Sequence, residues 1–275
     1  MTTSNSLTQP SPDFLPRPQI SHVVFDFDGT LSWLRHGWPE IMCQLFREHV
    51  PLRQGESEQA LHDLLLGDIL SLNGKPSIFQ MRRCAELAAE RNGQRPDPER
   101  LLLEYQRRLA AAILERTRKI QSGQCSRDNF VVHGARDLLK KLYRRGLVLV
   151  ILSGTDEPQV KQEADLLNLT RYFGVHIYGG TPDHARSSKE AVINRLLREE
   201  NIPGAQLLAF GDGPVEIQLT RKAGGLAVGV ASDEDQNGSG KLDPHKLQQL
   251  NGAGAHLVIP DYRNPDALIE CIFGK

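Results

Sequence analysis

The stretch His22-Val-Val-Phe-Asp-Phe-Asp-Gly-Thr-Leu31 decides how the rest of the chain is read. Its β-forming residues run on continuously instead of alternating with polar ones. That predicts a strand over residues 22–27, buried on both faces at the centre of a parallel sheet. The run ends in two carboxylates one residue apart, Asp26 and Asp28, followed by Gly29 and the hydroxyl of Thr30. Aspartate and glycine favour turns, so the ending is either a strand-terminating turn or a reactive pair. What other segments bring to the same edge decides between them.

Downstream of this strand the character changes. From Trp38 to about Ile120 four helical patterns follow one another, over Trp38–Val50, Ser57–Leu72, Lys75–Asn92 and residues 97–120. Apolar residues recur at helical spacing in them, for example Leu102, Tyr105, Leu109 and Ile113. Pro51, Gly74-Lys-Pro76 and the segment Gly93 to Pro98 act as breakers. After Gly123 strands and helices alternate. Strands are predicted over Leu147–Leu152, Val175–Tyr178, Gln206–Phe210, Gly225–Val230 and His256–Ile259. Helices are predicted over Ala135–Arg145, Glu157–Leu169, Ser188–Glu200 and Val215–Ala223. This alternation means right-handed βαβ units on a parallel sheet. The predicted fold is therefore α/β, a doubly wound, Rossmann-type parallel-sheet core of residues 19–34 and 124–275. An all-helical insertion of residues 35–123 interrupts it.

Composition sets outer limits. The chain has 275 residues, 39% hydrophobic and 24% charged, with 33 basic against 34 acidic residues. Such balance provides no general attraction to nucleic acid. No apolar run reaches the roughly 18–20 residues of a membrane span. Residues 1–18, rich in Ser, Thr, Pro and Gln, lack the pattern of a signal peptide and are predicted to form a disordered tail. Cys43, Cys84, Cys125 and Cys271 form no C-x-x-C pair and read as free thiols of a cytoplasmic protein. The nine histidines show no zinc-hydrolase spacing. Asp233-Glu-Asp-Gln-Asn-Gly238 imitates half of a calcium loop, but its closing position is Pro244, so it reads as a solvated acidic loop.

Doubly wound sheets bind ligands beyond the carboxyl ends of their strands. Four such places carry polar groups: Asp26 and Asp28; Ser153-Gly-Thr-Asp156; Lys189 at the start of a helix; and Gly211-Asp-Gly-Pro-Val-Glu216. Singly, each has an ordinary explanation. Ser153 could cap a helix, Asp212 could sit in a turn, Lys189 could be solvated, and Glu216 could favour a helix start. Together they gather acids, a hydroxyl and an amine at one edge, which suits phosphoryl transfer. Clustered carboxylates hold Mg²⁺, a carboxylate can act as nucleophile, and amine and hydroxyl donors neutralise phosphoryl oxygens.

This ordered set, Asp26-Phe-Asp-Gly-Thr30, Ser153, Lys189 and Gly211-Asp212 with Glu216, resembles the four motifs of the haloacid dehalogenase (HAD) superfamily. The helical insertion stands where phosphoglycolate phosphatase-like members have an α-helical cap. The resemblance implies that Asp26 is the nucleophile and Asp28 the general acid and base, with Thr30 orienting it. Ser153, with Gly154 and Thr155 beside it, would hold phosphate oxygens, and Lys189 would balance charge. Mg²⁺ would be held by Asp26, Asp28, Asp212 and Glu216. Two departures stand out: Lys189 is followed by Glu-Ala where many relatives have Pro-x-Pro, and position 216 is Glu where Asp is common. By the same resemblance, an acid at position 28 disfavours dehalogenation and phosphonate cleavage, whose enzymes in this superfamily lack it, leaving phosphatase or phosphomutase.

Substrate choice then falls to the insertion, because closure over a site excludes competing water. The candidates are Trp33, Arg35, His36 and Trp38 near its hinge and Lys75 in its glycine-containing turn. The implied activity is Mg²⁺-dependent hydrolysis of a small phosphorylated metabolite, a phosphosugar or phosphoglycolate-like acid. The alternatives are a phosphomutase using the same residues and a non-catalytic metabolite-binding module on the same fold.

Overall fold

The computed structural model describes residues 10–72, 76–181, 183 and 187–274. Strand β1 (His22–Phe25) is followed by helices α1 (Trp38–Arg47), α2 (Glu58–Ser71), α3 (Ile78–Glu90) and α4 (Pro98–Gln121). Then come α5 (Ala135–Arg144), β2 (Val148–Asp156), α6 (Glu157–Leu166), α7 (Thr170–Phe173), β3 (Ile177–Gly180) and α8 (Lys189–Glu199). The chain ends with β4 (Leu207–Gly211), α9 (Pro214–Lys222), β5 (Leu226–Val230), α10 (Pro244–Gly252), β6 (Leu257–Ile259) and α11 (Pro265–Phe273). Two compact units result: Arg35–Lys119, and the chain up to Leu34 together with Ile120 onward.

The second of these units contains one six-stranded sheet in the order β3-β2-β1-β4-β5-β6, parallel throughout. The chain builds outward from β1 to β3, crosses back to β4, then builds outward to β6. Strand order thus reverses between β1 and β4, which opens a crevice at their carboxyl ends. Successive residues of the apolar runs serve opposite faces. Val23 and Phe25 of β1, with Leu208 and Phe210 of β4, face a large core shared with α5, α6, α7 and α11. Val24 and Ala209 face a smaller core closed by Val192, Ile193 and Leu196 of α8. Phe25 stacks on Phe210 with ring centroids 4.9 Å apart, and Phe210 meets Tyr262 edge-on at 5.7 Å. Large rings on both central strands leave little freedom for the loops that follow them.

The helical unit has its own core. Leu61, Leu65 and Ile69 form an i, i+4 stripe on α2 that packs with Met42 and Phe46 of α1, Met81 and Leu87 of α3, and Tyr105 of α4. Ser57 caps α2 by accepting from the Ala60 amide at 3.1 Å. A buried Arg91 guanidinium donates to Glu56, at 3.0 Å through Nη2, tying the end of α3 to the loop before α2. All four cysteines are free. Among the described residues no helix is long and apolar enough to cross a membrane.

Several expectations need correction. Residues 10–18 are not a loose tail: Ser11 donates its amide to the His256 carbonyl, Arg17 to the Ile272 carbonyl, and Asp13 pairs with Arg221. Polar composition concealed these backbone bonds, which need no apolar side chains; residues 1–9 lie outside the described residues. The helix expected over 157–169 breaks after Leu166, because Asn168 adopts φ 54° before α7 begins. Strand β2 runs on to Asp156, and β3 starts at Ile177, after an exposed Val175. Two helices went unrecognised: α10, capped by Asp243, and α11. Each starts with proline, a favourable first helical residue.

His256 precedes β6 and is 2% exposed; its Nδ1 accepts from the Ala227 amide at 3.0 Å. Burial, then the Arg221 guanidinium beside it, pushes its pKa down to about 4 from 6.5. The unfolded chain therefore binds this proton first as pH falls. Stability from neutral His256 is full above about pH 6.5 and is lost progressively as pH falls towards about 4. His256→Asn, which keeps an acceptor, is expected to reduce the loss of unfolding free energy between pH 7 and pH 5 by about 1 kcal/mol. Urea melts at the two pH values measure this; parallel losses in both proteins would exclude His256 as a source.

Candidate active site

The crevice between β1 and β4 is lined by acids fixed through the sheet itself. Asp26 follows β1 directly, and its amide still donates to the Phe210 carbonyl of β4 at 2.9 Å. Its carboxylate is nearly enclosed, with the residue 7% exposed. The Lys189 ammonium donates to Asp26 Oδ1 at 2.7 Å and also to Glu216 Oε1. Lys189 opens α8, whose cap Ser188 accepts from the Ala191 amide, and Glu216 lies in the first turn of α9 at 4% exposure. Burial raises Asp26 well above the usual carboxylate range; Lys189 opposes this, while Glu216 and Asp212 add to it. For Lys189, burial works against the charge, yet Asp26 and Glu216 outweigh it and hold the ammonium above an ordinary lysine's range.

Asp28 sits two residues on, half-buried. The Thr155 hydroxyl at the end of β2 donates to Asp28 Oδ2 at 2.9 Å. Thr155 is itself held by its amide, which donates to Ser153 Oγ at 3.0 Å. The resemblance implied that Thr30 orients Asp28, but the Thr30 hydroxyl is buried with no hydrogen-bond partner among the described residues. Gly29 between them has φ 75°, and a Cβ there would stand 2.1 Å from Asp212 Oδ2. Only glycine lets the turn after β1 touch the acid after β4.

Asp212 is met from a direction that motif reasoning missed. Lys246 Nζ lies 3.1 Å from Asp212 Oδ2, 2.5 Å from Glu234 Oε1 and 3.1 Å from Ser232 Oγ. Ser232 in turn donates to the Gly29 carbonyl at 2.9 Å. The supposed solvated acidic loop is thus half wrong: Asp233 caps its own turn, but Glu234 points inward. Ser232 and Glu234 follow β5 just as Asp212 follows β4, so the strand-end rule would have found them. Lys246 had no such signal. Tyr262, edge-on to Phe210, is fully buried; its hydroxyl has no hydrogen-bond partner among the described residues, and burial plus Asp212 and Asp26 push its pKa well up.

The donor set suits a hard divalent cation. Among the described residues Asp26, Asp212, Glu216 and Glu234 pair with the two lysines Lys189 and Lys246, an excess of acid in which Asp26, Asp212 and Glu216 would hold the ion. The acids do not close on a single point, because Lys189 stands between Asp26 and Glu216. A tighter group, Glu40, Cys43 and His62, lies in the helical unit. There the two imidazole nitrogens face different partners, Cys43 at 3.4 Å and Glu40 at 3.7 Å. Burial pushes the Cys43 thiol up to about 11.

Of the expected substrate contacts, Gly154 is exposed at the end of β2. Trp33 packs half-buried on the α/β core, and its amide donates to the Phe130 carbonyl at 2.8 Å. Arg35, His36 and Trp38 belong to the helical unit, where Trp38 packs on the helical core and donates its amide to the Arg35 carbonyl. Lys75 lies outside the described residues.

Comparison with known proteins agrees with the architecture. The family of haloacid dehalogenase-like hydrolases matches residues 20–224. A phosphoglycolate phosphatase of Pseudomonas fluorescens is 28% identical over 101 residues, 37% of this chain and 37% of that protein. One from Synechococcus elongatus is 29% identical over 120 residues, 44% of this chain and 54% of that protein. The chain thus spans about a third to a half of the length of these curated relatives. The fold is shared with a conserved haloacid dehalogenase-like protein of unknown function from Agrobacterium tumefaciens, at TM-score 0.63 and 17% identity, covering 91% of this chain and 97% of that one.

Gly29→Ala tests the packing of the two acidic loops. A side chain at this left-handed φ, pressed against Asp212, is expected to lower the unfolding free energy by about 2 kcal/mol. Urea denaturation measures this, and a variant as stable as the parent would contradict the close approach.

Proposed function

The chain belongs to the haloacid dehalogenase-like hydrolases, and we propose that within this family it hydrolyses the phosphomonoester of a small metabolite through an aspartyl-phosphate on Asp26. The observation that carries this reading is the Asp26–Lys189 pair at the reversal of strand order, with Asp28 held beside it by Thr155. The Lys189 ammonium favours the ionised, nucleophilic form of Asp26 against the burial that opposes it, and enclosure shields that carboxylate from water that would blunt it.

In the proposed reaction an Asp26 oxygen bonds to phosphorus while the bond from phosphorus to the ester oxygen breaks. Asp28, protonated at that moment, gives its proton to the departing oxygen. It then takes a proton from the water that attacks the aspartyl-phosphate, releasing inorganic phosphate and restoring Asp26. One group thus serves as acid and base, and Thr155 keeps its carboxyl aimed through both steps. Ser153 and the Gly154 amide would hold phosphoryl oxygens, and Lys189 would keep Asp26 and Glu216 from repelling the anionic substrate. Mg²⁺, held by Asp26, Asp212, Glu216 and the backbone carbonyl of Asp28, would supply charge neutralisation for the phosphoryl group. The names of the curated relatives favour phosphoglycolate or a similar small phosphorylated acid as the substrate class.

Asp26→Asn is expected to lower phosphate release from p-nitrophenyl phosphate with Mg²⁺ by about a thousandfold or more. Asp28→Asn should cost about a hundredfold or more, and EDTA should abolish turnover of the parent. Retention of a tenth of the parent rate by Asp26→Asn would remove Asp26 as nucleophile. An isomerised sugar phosphate in place of inorganic phosphate would redirect the assignment to a mutase.

A further inference from the structure

We propose that Lys246 is a positioning residue for the metal-binding carboxylate Asp212, so that the chain beyond the family match, from Gly225 onward, completes the site. The inference rests on the metal-dependent reading given above. Lys246 is 5% exposed, and burying a lysine is costly unless its charge and all its protons are met. An ammonium has three protons, and Lys246 has three acceptors around it: Asp212 Oδ2 at 3.1 Å, Ser232 Oγ at 3.1 Å and Glu234 Oε1 at 2.5 Å. Every donor direction is therefore used inside the protein. Lys246 cannot reach out to a phosphate as Lys189 can, and its effect on the reaction must pass through what it holds.

What it holds is both sides of the crevice. It fixes one oxygen of Asp212, leaving the other for a cation. Through Ser232, which donates to the Gly29 carbonyl at 2.9 Å, it also braces the turn between Asp28 and Thr30. The Lys246 backbone is anchored in its turn, since its amide donates to the Asp243 cap of α10 at 2.9 Å. A path of hydrogen bonds thus runs from a helix start outside the matched region to both acidic loops. Carboxylates that bind metals are oriented by such outer partners, whose loss typically weakens metal affinity by about 10–100-fold.

The competing account is that Lys246 is only the counter-charge of Glu234. The double variant Lys246→Met/Glu234→Gln separates the two, because it removes one ammonium and one carboxylate together and leaves the net charge near Asp212 unchanged. Mn²⁺ is the probe, its free concentration read by electron paramagnetic resonance in the absence of substrate. The positioning role predicts that the Mn²⁺ Kd rises about tenfold. It also predicts that kcat on p-nitrophenyl phosphate falls about tenfold while KM for the ester stays within twofold. A folded double variant with Kd and kcat within twofold of the parent would overturn the proposal. If the double variant fails to fold, Ser232→Ala decides, since it deletes one oxygen and keeps both ion pairs. It should raise the Mn²⁺ Kd about threefold, and an unchanged Kd would overturn the proposal. Failure of the parent itself to bind Mn²⁺ would overturn the metal-dependent reading along with this one; a parent that binds and turns over beside an unaffected variant would overturn this one alone.

Discussion

The site is organised around the contact between the Lys189 ammonium and an Asp26 carboxylate almost wholly removed from water. Burial alone would neutralise it, and Glu216 and Asp212 nearby push in the same direction. The Lys189 ammonium counters them, bonded to Asp26 and Glu216 at once. Breaking such a buried pair leaves an uncompensated charge, which is far worse than never having formed it. The remaining features serve this balance: a helix start delivers the lysine, a second delivers Glu216, and a sheet ladder immobilises Asp26.

The sheet order explains why these groups meet at all. Reversal between β1 and β4 leaves their carboxyl ends without a crossing connection, so the loops that follow can carry side chains instead of covering the gap. The Phe25–Phe210 stack and the edge-on Tyr262 lock the two strands in register just beneath the acids. Gly29 then lets the β1 turn touch Asp212, a contact any side chain would block. Apolar packing below the crevice thus sets the spacing of charges within it.

Two buried lysines divide the remaining work. Lys189 bridges Asp26 and Glu216, whereas Lys246 is met by Asp212, Glu234 and Ser232. Four carboxylates against two ammonium groups leave an excess that fits a divalent cation, and neither lysine alone would produce that balance. The helical unit has its own apolar core and a largely buried ion pair between Arg91 and Glu56.

The sequence by itself determined the parallel α/β core, the four-helix insertion and the places of Asp26, Asp28, Ser153, Lys189, Asp212 and Glu216 at strand ends and helix starts. These were legible because each follows a short continuous apolar run or opens a helical pattern, and such patterns are local. Tertiary structure alone decided that Thr155, not Thr30, meets Asp28, that residues 10–18 dock on the core, and that Glu234 and Lys246 turn inward to Asp212. A lysine on a helix reads the same in sequence whether it faces water or a buried acid. Its environment is set by elements distant along the chain, and only their packing fixes which charges it must neutralise.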